Sequence, residues 1–102
     1  MARKDFDLIM VVVNKGDAPE AVKAAQKVGA KGATIINGRG SGIHENAKIF
    51  GFPIEPEKEI IMIATTKNKT EHILEAITKE IGLDRPGKGI AFVLDADRVI
   101  GI

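Results

Sequence analysis

The chain has 102 residues, 44% of them apolar, with 15 basic and 14 acidic side chains, a formal net charge of +1 and no cysteine. That length holds one domain with one core, and the balanced charge excludes a basic field for nucleic acid or an anionic membrane. The missing cysteines exclude disulfides, a thiol nucleophile and a thiolate metal site.

The start, Met1-Ala2-Arg3-Lys4-Asp5, is basic, but the apolar run that follows is too short for a membrane span and lacks a cleavage signal, so a cytoplasmic protein is expected. That run, Phe6 to Val13, is rich in β-branched residues and bounded by Asn14-Lys15-Gly16, which predicts a strand buried on both faces. Asp17 as a cap, Pro19 in the first turn and Glu20 at capping-box spacing predict a helix start. Ala21, Val22, Ala25 and Val28 form its stripe, and Gly29 is placed to end it. A second strand runs from Ala33 to Asn37.

The pattern then repeats. Ile60 to Ala64 reads as a third strand, and Asn68 with Glu71 three residues on is another capping signal. Ile73, Leu74, Ile77 and Ile81 make the second helix stripe, Gly82 ends it, and a fourth strand runs from Ile90 to Asp95. Val99, Ile100 and Ile102 suggest a short edge segment. The order βαββαβ defines an α+β, ferredoxin-like domain with antiparallel pairing and a long loop between strands 2 and 3. Two helices cover one face of such a sheet. Both parities of the strands are apolar, so the second face needs a cover, and self-association is the simplest one.

The segment between strands 2 and 3, Asn37 to Glu59, is far longer than a hairpin connection, and Ile43, Ile49, Phe50, Phe52 and Ile54 make it more apolar than a linker, so it reads as a binding loop. It opens with Gly38-Arg39-Gly40-Ser41-Gly42, where the backbone can approach an anion closely and Arg39 can donate to phosphate. The run is neither a dinucleotide fingerprint nor a P-loop, and a plain loop base is the alternative. Arg85-Pro86-Gly87-Lys88-Gly89 is a second such cluster, by itself a turn. Placed at sheet ends, the two are expected to meet across a subunit boundary and hold an anion with backbone amides, Arg39 and Lys88. His44, Glu45 and His72 lack metal-ligand spacing, so no metal is expected. Nor is a nucleophile placed beside a base, so the chain does not read as an enzyme. An RNA-binding sheet would show stacking aromatics, but Tyr and Trp are absent and Phe92 alone lies in a suitable inner strand.

The C-terminal run from Gly87 through Asp95-Ala96-Asp97-Arg98-Val99-Ile100 to Ile102 resembles the closing signature of the nitrogen regulatory P-II signalling proteins. Gly32 and Thr34 look like that family's second strand, and Gly38 and Gly40 like the base of its T-loop, so the likeness spans nearly the whole chain as a single domain, 1–102. The resemblance implies a homotrimer that binds an adenine nucleotide (ATP, ADP or AMP) in clefts between subunits and regulates a partner through the T-loop without catalysis. It places Thr34 near the loop base, Gly38 and Gly40 at the loop root, and Gly87 and Gly89 in the phosphate-facing loop.

Ile90 stands where the family usually has a lysine, Lys88 where an acidic residue is common, and Gly101 at a position usually basic. At roughly 1.5–3 kcal/mol for each charge-assisted contact, two losses weaken triphosphate binding by orders of magnitude, which favours a smaller adenine nucleotide or another anion. The loop has no tyrosine to modify, and Ser41 stands where an arginine is usual. From His44 to Glu59 it looks more like the loop of divergent P-II-like proteins, some of which resemble regulators of membrane transporters. The resemblance thus leaves an enzyme or a membrane transporter as the target, with Ile49, Phe50 and Phe52 as apolar anchors. The alternative is a trimeric divalent-metal-binding protein of the cation-tolerance type, which shares the fold and would use His44. An acylphosphatase-type enzyme ranks last, since no paired Arg and Asn are placed for it.

Overall fold

The computed structural model describes residues 2–41 and 55–102, and the backbone of 48–49 and 52–53. Its elements in chain order are β1 (Phe6–Asn14), α1 (Ala18–Lys27), β2 (Thr34–Arg39), β3 (Lys48–Ile49), β4 (Phe52–Pro53), β5 (Glu57–Thr66), a 3-10 turn (Lys67–Lys69), α2 (Thr70–Ile81) and β6 (Gly89–Ala96). Four strands form one antiparallel sheet in the order β2-β5-β1-β6. This is the predicted ferredoxin-like arrangement. The two-residue ribbon β3–β4, in which Lys48 pairs with Pro53, lies inside the long connection and had no signal in the sequence. The predicted loop residues Ile43, His44, Glu45, Phe50 and Ile54, and the side chains of Ile49 and Phe52, lie outside the described residues.

Strand alternation sorts the sheet into two faces. Ile9, Val11 and Val13 of β1 and Ile61 and Ile63 of β5 are fully buried beneath the helices. Against them α1 brings small side chains, Ala18, Ala21 and Ala25, while α2 brings Ile73, Ile77 and Ile81. Val28, predicted to extend the α1 stripe, lies past the helix end and is 41% exposed. On the other face the register aligns Ile36, Ile60, Val12 and Ile90 in one row and Met62, Met10 and Phe92 in the next. Among the described residues no helix covers this second face. Ile36, Ile90, Phe92 and Leu94 stand 44–53% exposed on it, as the apolar parity of the strands foretold.

Two predicted caps are replaced by longer-range contacts. Asp17 occupies the position before α1 but makes no side-chain cap; instead the Glu59 carboxylate reaches over from β5 and accepts from the amides of Gly16 (2.8 Å) and Ala18 (3.1 Å). A carboxylate there satisfies free donors and meets the positive end of the helix dipole. Asn68 does not cap α2 either, because its side-chain oxygen accepts from the Thr66 hydroxyl within the 3-10 turn. The α2 onset is tied to the sheet by Thr70, whose hydroxyl donates to Asp7 at 2.7 Å. Gly82 ends α2 in the left-handed conformation, φ 71°, as predicted. The expected edge segment after Asp97 reduces to a single bridge between Val99 and Arg3.

Candidate functional site

The C-terminal ends of β1 and β2 and the N-terminal ends of β5 and β6 meet at one end of the sheet. A cavity of about 660 Å³ opens there. One wall is the end of β2, Gly38, Arg39 and Gly40, with Ser41 beyond it. The facing wall is the turn after α2, from Leu83 to Gly87, with Gly89 and Ile90 entering β6. Val12, Lys58 and Ile60 form the floor between them. The two glycine-and-base clusters therefore meet within one chain, where the sequence led us to expect a meeting across a subunit boundary.

Each wall is held by specific contacts. The Gly40 amide donates to the Pro56 carbonyl at 3.1 Å, and Lys15 donates both its backbone amide and its ammonium to Glu57, which fixes the root of the long connection. The hydrogen bond from Lys15 holds the Glu57 carboxyl below its usual range, with Arg39 adding a smaller pull. On the facing side Arg85 packs its guanidinium against Gly82, where a Cβ would collide with it. That places a cation at the negative end of the α2 dipole. Gly89 has φ 141°, and a Cβ there would run into the Val12 carbonyl, so β6 can begin this close to β1 only with glycine.

Lys58 and Asn14 connect the walls. They are register partners on β5 and β1. The Lys58 ammonium donates to Asn14 Oδ1 at 2.7 Å, and Asn14 Nδ2 donates to the Gly87 carbonyl at 3.0 Å.

Of the residues singled out in the sequence, Gly38, Arg39, Gly40, Gly87 and Gly89 surround this cavity. Lys88 is not among its lining residues, and the base on that wall is Arg85. Thr34 starts β2 and lines a second cavity of about 420 Å³ at the opposite end of the sheet, with Arg3, Lys31, Met62 and Lys69. At 3.2–3.4 Å per residue, Thr34 stands roughly 13 Å from Gly38 along the strand, so it belongs to the far end and not to the loop base. Lys58, Arg85 and the apolar floor were not singled out in the sequence. Their signal is only positional: Lys58 opens a strand opposite Asn14, and Arg85 begins the second glycine cluster. With Arg39, Lys58 and Arg85 against the single carboxylate of Asp84, and with Val12, Ile60, Leu83 and Ile90 beside them, the cavity suits an anion that carries an apolar part. Among the described residues no three His, Asp or Glu side chains are grouped to hold a metal ion, and no helix is long and apolar enough to cross a membrane.

A small ferredoxin-like domain with a cationic cavity at one sheet end is the class that the fold and site define. The chain belongs to the nitrogen regulatory protein P-II family, whose model matches residues 6–102. Among solved structures it is similar to the crystal structure of Arabidopsis thaliana PII bound to citrate, at 23% identity and a TM-score of 0.76, over 97% of this chain and 84% of that one. A search of curated proteins found no match. The family's proteins are signalling regulators.

Proposed function

We propose that this P-II protein works as a homotrimer, senses an adenine nucleotide or a related anion at clefts between subunits, and regulates a partner protein through the connection from Gly42 to Pro56. The single observation that carries this reading is the convergence of Gly38–Gly40 and Arg85–Gly89 on one cationic cavity. Backbone amides of both clusters, Arg39, Lys58 and Arg85 would hold phosphate, and the apolar floor would take the base. The open sheet face supports association, since an apolar patch of this kind is abnormal on a monomer. In a trimer packed through that face, the cavity of one subunit would abut the Thr34 end of the next, which gives Thr34 and the bases around it a role in completing the cleft. Lys88 would attract the anion from outside the wall.

Ligand occupancy would favour one arrangement of the long connection over another, a shift of population without chemistry, and the partner would be an enzyme or a membrane transporter. The citrate held by the plant relative is an anion too, which is compatible with a cationic cavity here. Thermal denaturation with ATP, ADP and AMP tests the reading, because a ligand bound only to the folded state raises the midpoint by mass action. A rise with at least one nucleotide is expected, with most of it lost in Arg39→Ala. No rise with any nucleotide at 1 mM would refute the nucleotide sensor.

A further inference from the structure

Asn14 belongs to neither glycine cluster, yet its side chain holds the carbonyl of Gly87 in the cavity wall. Asn14 is the last residue of β1, the strand that runs between β5 and β6, and its side chain joins residues from both sides. A primary amide has one accepting and one donating end, and here each has a partner that tolerates only that end. The Lys58 ammonium cannot accept, so it takes Oδ1; the Gly87 carbonyl cannot donate, so it takes Nδ2. The orientation of the amide is therefore fixed, and so is what it grips.

In a trans peptide the carbonyl and the following N–H point in opposite directions. Holding the Gly87 carbonyl against Asn14 consequently turns the Lys88 amide N–H away from Asn14. Glycines at 87 and 89, with φ 80° and 141°, leave this stretch with little steric resistance to a peptide rotation. Without the Asn14 donor the 87–88 peptide would be free to rotate, and Gly87 and Gly89, which line the cavity, would move with it. The same side chain keeps the Lys58 ammonium at the cavity floor.

We propose that Asn14 is a positioning residue for the cavity, which fixes the 87–88 peptide and with it the placement of Gly87 and Gly89 in the cavity wall, and couples that turn to Lys58 at the start of β5. The functional part rests on the anion-sensor reading above; the positioning part does not. Few other side chains would serve. Asp would accept from Lys58 but repel the Gly87 carbonyl, and Ala would release both.

The test uses the full chain as Asn14→Asp and Asn14→Ala, with amide NMR of the free protein and calorimetric titration with ADP. In both variants the Lys88 and Gly89 amide resonances should move and their heteronuclear NOE should fall, while the amides of Val11 and Ile63 stay in place and show that the sheet is intact. In Asn14→Asp the Lys58 and Glu59 amides should hold their positions, because the Lys58 partner remains; in Asn14→Ala they should move as well. ADP affinity should drop about tenfold in each variant, the loss of one oriented contact set. Unchanged Lys88 and Gly89 signals in both variants would overturn the proposal, whatever ADP does. Moved signals with an unchanged ADP affinity would overturn the functional part. If ADP fails to bind even the native chain, the sensor reading fails for that nucleotide, while the positioning of the turn stands or falls on the resonances alone.

Discussion

The two faces of the sheet are built from the same kinds of residue and end in different states. Beneath the helices Ile9, Val11, Val13, Ile61 and Ile63 are fully buried, whereas on the opposite face Ile36, Ile90, Phe92 and Leu94 are left about half exposed. The helices bury the first face except at its edge strands, where Ile35 and Val93 stay 43–44% exposed, and among the described residues the second face is left open. If the open face is the proposed association surface, a substitution on the covered face should damage the fold and one on the open face should damage the association. The cavity lies at the end of the sheet, with Val12, Ile60 and Ile90 of the open face in its wall, so the proposed assembly and the proposed ligand site share residues.

Substitutions on each face would break or sharpen that contrast. Ile77→Ala empties part of the buried core between α2 and the sheet, and should lower stability by about 2–5 kcal/mol in urea denaturation. Phe92→Glu places a charge on the open face, and light scattering should show a smaller particle while circular dichroism stays native, with the change in single-chain stability within about 1 kcal/mol. A Phe92→Glu chain that unfolds would mean that this face belongs to the core of the single chain.

The smallest effect concerns the far end of the sheet. There Lys67 donates to Asp7 and Asp95, and Thr70 also donates to Asp7, so the Asp7 carboxyl lies below the usual carboxylate range, chiefly through Lys67. A carboxyl whose folded value is depressed adds stability above its unfolded value and loses it as pH falls through the folded one. Asp7→Asn should therefore flatten the decline of the melting temperature below about pH 4. An unchanged acid limb in that variant would assign the decline to other carboxylates.

How much of this was legible in the sequence depends on the range of the interaction. The order of elements, the Gly82 stop and the apolar second sheet face follow from local patterns: the nearly unbroken apolar run Phe6–Val13, the Ile73–Ile77–Ile81 stripe and a glycine after it. Contacts between distant residues left no such pattern. Glu59 caps a helix 41 positions away, and Asn14 grips a carbonyl 73 positions away, so neither role shows in any window of sequence. Glycines of both clusters line the cavity, but which base faces into it is set by the turn after α2. Gly82 lets Arg85 fold back over the helix end, whereas Lys88 does not join the lining.

Native mass spectrometry with ADP tests the proposed trimer with a nucleotide at each cleft most directly, because mass counts chains and ligands together. A particle of three chains carrying up to three ADP is expected, reduced to the bare trimer by Arg39→Ala. A single chain, or a trimer that takes up no nucleotide, would contradict it.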